Sequence, residues 1–209
     1  MGRPPLHDVR RKQLVEATIT AISTHGLADA TVSRISSAAG VSPSIVHHYF
    51  TDKDELIQAA MRSLLLVLQT SILSRLRDTN DPIERITAIV DGNFSTDQTS
   101  VEGVRAWLAL WSRAPHASGI ARLQRINSAR TRSNLLHALR KVLPVEHARI
   151  VAANLTALMD GLWLRCALDR EGFSPQEARR HALEFVSSEI AAFECESALA
   201  ASAGEEKQE

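Results

Sequence analysis

Apolar residues recur along this chain at every third or fourth position, and no stretch alternates apolar with polar residues as a half-buried strand would. The pattern predicts helices from one end to the other. A first helix is expected from about Asp8 to His25, with Leu14, Ala17, Ala21 and Ile22 on one stripe and Gly26 as its stop. Thr31 is placed to cap a short helix, Val32 to Ala39, whose inward residues are Val32, Ile35 and Ala39 and whose stop is Gly40. Ser42 caps a third, equally short helix ending near Phe50. Pro43 sits at its first helical position, where the missing N–H costs nothing. Asp52 then opens a long helix to about Asp78, with Leu56, Ile57, Ala60, Met61, Leu64, Leu68, Ile72 and Leu76 on its buried side.

The rest of the chain repeats this grammar. Asp81-Pro82 opens a helix to about Asn93, and Ser100 opens another through Trp107 and Trp111 that Pro115 stops. A basic helix is expected from about Ser118 to Val142. Pro144 opens one to about Arg170, and Ser174-Pro175 opens a last one to about Glu194. The residues after Ala198 are expected to be a disordered tail. The fold class predicted is therefore all-α. Residues 1–53 form a three-helix DNA-binding domain with a helix-turn-helix, and 54–196 a helical effector-binding and dimerisation domain. A tail follows from 197 to 209.

Composition narrows the class further. With 209 residues and 44% hydrophobic content, the chain can bury a real core. Its longest apolar run, Leu64 to Leu68, is far too short for a membrane span, and Met1-Gly2-Arg3-Pro4-Pro5 has no signal-peptide core. The expectation is a soluble cytoplasmic protein that needs no membrane. Cys166 and Cys195 lie far from any zinc-like His/Cys spacing, so two reduced thiols are expected and no metal or cofactor. Charge is evenly balanced, 24 basic against 24 acidic residues, which favours no partner. Residues 1–53 carry a surplus of only two positive charges, which permits DNA contact without arguing for it.

The argument for DNA comes from local pattern. Two short helices joined by Gly40-Val41-Ser42 form a helix-turn-helix, in which glycine ends one helix sharply and Val41 plugs the turn into the core. The second helix presents Ser44, His47, His48 and Tyr49, compact hydrogen-bonding side chains suited to a major groove, and its N-terminus can face a phosphate. Lys53 follows at the start of the fourth helix, where it can neutralise another phosphate. An ordinary helical hairpin would fit the same periodicity.

The stretch from Thr31 to Leu56, TVSRISSAAGVSPSIVHHYFTDKDEL, resembles the N-terminal signature of the TetR family of repressors. The resemblance implies that the third helix enters the major groove, with Thr31, Tyr49 and Lys53 on backbone phosphates and Ser44, Ile45 and His47 at base edges. Arg34, Ser42, Pro43 and His48 complete the candidate DNA-binding set. Arg3, in a Gly-Arg-Pro-Pro arm, either reaches into the adjacent minor groove or makes no contact.

The C-terminal part holds Phe94, Trp107, Trp111 and Trp163, although aromatic residues are only 4% of the chain. Trp107 and Trp111 are four apart on one helix and share a face. Such residues usually fill a core, but a cluster of indole faces also attracts a quaternary ammonium. Gly92-Asn93-Phe94, the Ala106 to Trp111 stretch and the Ala157 to Arg165 stretch resemble the C-terminal half of BetI-type regulators, the choline-responsive branch of the family. That resemblance implies a small effector, choline or a related quaternary ammonium, near Phe94, Trp107, Trp111, Asp160 and Trp163. The alternative is a regulator of efflux or catabolic genes with a different, hydrophobic effector. Asp160 stands out as a carboxylate in an apolar run. It either pairs with an arginine of the basic helix or faces a cationic effector.

Residues 144–194 supply two helices that are apolar on more than one side. Val151, Leu155, Leu158, Met159 and Leu162 run along one, and Ala182, Phe185, Val186 and Ile190 along the other. Two copies would bury these faces in a four-helix bundle, the expected homodimer interface. Residues 103–145 contain eight Lys/Arg and no acid, which reads as a solvated face balanced elsewhere. An enzyme is not expected, since no nucleophile elbow, P-loop or carboxylate pair at helical spacing occurs and the eight histidines are scattered. The expected partners are double-stranded operator DNA, a small effector and a second copy of the chain.

Overall fold

A computed structural model of the chain describes residues 6–77 and 79–205. Among them every regular element is helical: α1 (Leu6–Asp29), α2 (Val32–Ala38), α3 (Pro43–Tyr49), α4 (Lys53–Leu76), α5 (Pro82–Asn93), α6 (Thr96–Thr99), α7 (Val101–Arg113), α8 (Ser118–Leu139), α9 (Val145–Leu168) and α10 (Pro175–Glu205). A 3-10 turn over Ala114–His116 follows α7, as Pro115 requires.

The helix starts are written in capping side chains. Thr31 accepts from the Arg34 amide at 3.3 Å, Asp52 from Glu55 at 2.7 Å, Asp81 from Ile83 and Glu84 at 2.9 Å, and Ser100 from Gly103 at 3.1 Å. Ser174 and Glu177 form a reciprocal capping box at the start of α10. The Ser174 amide donates to the Glu177 carboxylate, and that bond holds Glu177 below the usual carboxylate range. Ser42 departs from expectation. It occupies the position before α3 but makes no capping bond, because its hydroxyl pairs with that of Ser44 at 2.8 Å.

The chain divides into two compact units. One takes the chain through Thr70 together with Thr96–Asn127, and the other takes Ser71–Ser95 and the chain from Ser128. They do not follow a division after residue 53, since α4 and α8 each contribute to both. The first unit packs Leu14 and Ile22 of α1, Ile35 of α2, Val46 and Phe50 at α3, and Leu56 and Met61 of α4 into one core, all 2% exposed or less. Against it lies α7, which runs along α1 and buries Val104, Trp107 and Leu110. The second unit buries Ile86, Ile89 and Val90 of α5, Leu135 and Leu139 of α8, Val151, Leu155 and Met159 of α9, and Ala178, Ala182 and Val186 of α10. In that unit Arg179 of α10 grips the carboxylate of Asp91 on α5. Gly92 lets α4 come close, since a Cβ there would lie 2.4 Å from Cγ1 of Ile72. By length and composition alone α4 and α9 are apolar enough to cross a membrane, and each buries part of its apolar surface in these cores.

Two expectations change. The last helix continues to Glu205 instead of stopping near Glu194, because the run from Ala198 onward is dominated by alanine, the best helix former. In the two C-terminal helices, Val151, Leu155, Met159, Ala182 and Val186 are buried within the single chain, while Leu158, Leu162, Phe185 and Ile190 are half-buried. The apolar side chains left open on α9 are others: Ile150 (60% exposed), Leu164 and Leu168 (72%), on one face with Ala153, Ala157 and Gly161.

Candidate functional site

The turn between α2 and α3 is built on Gly40, whose φ of 65° lies in the left-handed region that side chains disfavour. The Val41 amide donates to Ser36 O at 2.9 Å and the Gly40 amide to Ser37 O at 3.1 Å, a Schellman closure that ends α2 and turns the chain by a fixed angle. Val46 and Phe50 then anchor α3 in the core, so its opposite face points outward. That face carries Ser44, Ile45 (38% exposed), His47 and His48, with Ser42 and Pro43 at its start, all exposed.

The flanking candidates are positioned by contacts that sequence periodicity does not reveal. The Tyr49 ring is packed between His7, at 4.7 Å between centroids, and the edge of His48, at 5.2 Å. Thr31 is exposed while its hydroxyl caps α2. Arg34 donates to Asp29 O at 3.0 Å, and Arg11 lies over the Phe50 ring at 4.8 Å. Lys53 does not simply extend toward solvent: its ammonium donates to the carbonyls of Leu27 and Ala28, at 3.2 and 3.3 Å, where α1 ends. An ammonium has three donors, so one remains for a phosphate. Arg3 lies outside the described residues.

The aromatic candidates fall into the two units. In the first, the Trp107 and Trp111 rings stand 6.2 Å apart at 58°. Trp107 is 4% exposed and donates through Nε1 to Gln98 Oε1 at 3.1 Å, whereas Trp111 is half-buried. Gln98 comes from α6, a single turn that the sequence pattern did not announce; four residues are too few to show a period. In the second unit, Phe94 ends α5 and Trp163 lies on α9, both 7% exposed. Asp160 sits three residues before Trp163, at the edge of the open face of α9. No basic side chain of the described residues lies within ion-pairing distance of it, so the structural ion pair is not formed; Arg165 lies instead over the Phe173 ring at 5.5 Å. The protein atoms crowded around the Asp160 carboxyl raise its pKa from 3.8 to about 6 by desolvation, although the residue keeps more than a third of its surface open. Among the described residues no group of His, Cys, Asp and Glu could hold a metal ion.

Two family descriptions match the chain: "Bacterial regulatory proteins, tetR family" over residues 14–60 and "BetI-type transcriptional repressor, C-terminal" over 82–191. The regulator BetI of Proteus mirabilis is 42% identical over 192 residues, which is 91% of this chain and 96% of that protein. BetI of Ectopseudomonas mendocina is 40% identical over the same length, covering 98% of that protein. Among solved structures, a transcriptional regulator from Rhodococcus sp. Rha1 superposes with a TM-score of 0.75 at 26% identity, over 88% of this chain and 95% of that one. A regulator from Saccharomonospora viridis, solved in complex with choline, has the same fold with a TM-score of 0.77 at 22% identity, over 86% and 96%.

Proposed function

This chain belongs to the TetR family of bacterial regulators, with a C-terminal half of the BetI type, and from that premise we propose that it is a cytoplasmic repressor released from its operator by a small quaternary ammonium. The observation that carries the DNA half of the reading is α3, anchored by Val46 and Phe50 and displaying Ser44, Ile45, His47 and His48 to solvent. These side chains have the donors, acceptors and apolar contact surface that read base edges in a major groove. Thr31, Arg34, Tyr49 and Lys53 flank them and take the phosphates, which set register without reading sequence. Ser42 and Pro43 belong to the same surface.

Two copies bind a palindrome in this reading. The open face of α9 supports the pairing, because Ile150, Leu164 and Leu168 are costly to leave in water and Ala153, Ala157 and Gly161 on the same face are small. The effector proposed first is choline, which is also bound by the Saccharomonospora viridis regulator. Trp111, half-buried beside the hydrogen-bonded Trp107, offers the indole face that attracts a cation. Phe94, Asp160 and Trp163 belong to the other unit, and the proposal needs only the tryptophan pair. The effector must bind the form that does not hold DNA more tightly, by a coupling of about 1–3 kcal/mol.

The test selects a duplex from a random pool with the full-length protein, then measures its affinity with and without millimolar choline. A palindromic consensus and a choline-weakened complex are expected, with the choline effect lost in Trp111→Ala. Selection of no preferred sequence overturns the repressor reading. Tight operator binding that ignores choline overturns the effector and leaves the regulator.

A further inference from the structure

Helix α7 is tied at both ends to the helices of the DNA-binding motif, and the two ties differ in kind. At its start, Glu102 accepts a hydrogen bond from the Thr20 hydroxyl of α1 at 2.8 Å, across 82 residues of sequence. At its end, Arg113 lies 3.5 Å from the carboxylate of Asp54 in the first turn of α4. Between the ties α7 packs along α1 through buried Val104, Trp107 and Leu110. Asp54 stands next to Lys53, whose ammonium holds the Leu27 and Ala28 carbonyls, and four residues after Phe50, the anchored end of α3. Whatever moves the Arg113 end of α7 therefore acts on the turn that positions α3.

The two ends differ in how freely they can move. The start of α7 is closely packed against the turn that precedes it: a Cβ at Gly103 would lie 2.9 Å from the Asp97 carbonyl oxygen. Around Arg113 there is space instead, a polar cavity of about 200 Å³ lined by Asp54, Gln58, Arg113, His116, Ser118 and Gly119. Gly119 at the start of α8 leaves room for the Gln58 side chain, whose Cδ a methyl there would approach to 2.5 Å. The attachment of α7 is thus looser at its end, where a half-exposed ion pair borders a cavity, than at its start.

We propose that Arg113 and Asp54 are positioning residues, the joint through which α7 sets the first turn of α4 and with it the recognition helix α3. The identity of the two ligands, operator and cation, rests on the proposed function; the joint does not. Trp111 lies two residues before Arg113 and on the other side of α7, so a cation seated on its indole face reaches the joint only by shifting α7 as a body. The pair is solvent-exposed on both sides, so its loss should shift the position of α3 by a factor of about two to five in equilibrium terms, without unfolding the chain.

The test uses full-length Arg113→Gln, Arg113→Lys and Gly119→Ala. Hydrogen exchange without any ligand should rise about two- to fivefold over residues 43–58 in Arg113→Gln, stay near wild type in Arg113→Lys, and leave α9 unchanged. Gly119→Ala, which pushes Gln58 toward the joint while keeping both charges, should perturb the same segment. Affinity for the selected duplex with and without choline chloride should show a choline-dependent ratio that shrinks in Arg113→Gln and survives in Arg113→Lys. Unchanged exchange over 43–58 in both Arg113→Gln and Gly119→Ala overturns the joint, as does a full choline response in Arg113→Gln. A wild type insensitive to choline whose variants still show the exchange pattern removes the effector reading and leaves the joint standing.

Discussion

Asp160→Asn should make the folded chain more stable at neutral pH and change nothing in acid. The carboxyl ionises near 6 in the folded chain, against 3.8 for an unperturbed aspartate, because its surroundings disfavour the charged form. The folded state thus holds the Asp160 proton more tightly than the unfolded chain does. Below about pH 4 the group is protonated in both states and contributes no difference. As pH rises from about 4 to about 6 the unfolded chain releases the proton first, and stability is lost; above that window the loss is constant. At about 1.36 kcal/mol per pH unit, the two values set an upper bound of about 3 kcal/mol. Asp160 keeps over a third of its surface open, and solvent screening brings the expected loss down to about 1 kcal/mol. For a chain of this length that is a rise in Tm of about 2–4 °C for Asp160→Asn at pH 7.5. Thermal melts of both proteins from pH 4 to 8 decide it. A gap that is absent at pH 7.5, or that persists unchanged at pH 4, refutes the argument from desolvation.

The remaining predictions address backbone, interface and DNA contact. Gly40→Ala forces a side chain into a left-handed conformation (φ 65°) and should cost about 1–2 kcal/mol in denaturant melts and weaken operator binding. Gly92→Ala drives a methyl into Ile72, backbone as well as side chain, and should cost about 1–3 kcal/mol by the same measurement. Gly161→Asp should give monomers in sedimentation and lose palindrome binding, since a single half-site supplies too little affinity. Lys53→Ala should weaken binding to all duplexes alike and lower the salt slope by about one unit; an unchanged slope with a lowered Tm would make Lys53 a cap for α1 alone.

Much of this protein is local, and local features are legible in a sequence. The caps at Thr31, Asp52, Asp81, Ser100 and Ser174 each involve partners within three residues, so helix starts follow directly from residue type and spacing. The left-handed glycine at position 40, the apolar stripe of α4 and the polar face of α3 follow for the same reason: a helix period and a turn conformation are set by neighbours in the chain. The helix-turn-helix, and with it the family, was therefore readable before any coordinates. Tertiary structure alone decided which of several apolar faces is spent inside the protomer. It buried Val151 and Leu155 while leaving Ile150 and Leu168 open, a choice between faces that the sequence presents as equals. It alone turned Lys53 back onto the end of α1, tied Trp107 to Gln98, and joined Thr20 to Glu102 and Asp54 to Arg113. These contacts join positions whose separation in the chain carries no period, so only the packing of helices against one another brings them within reach.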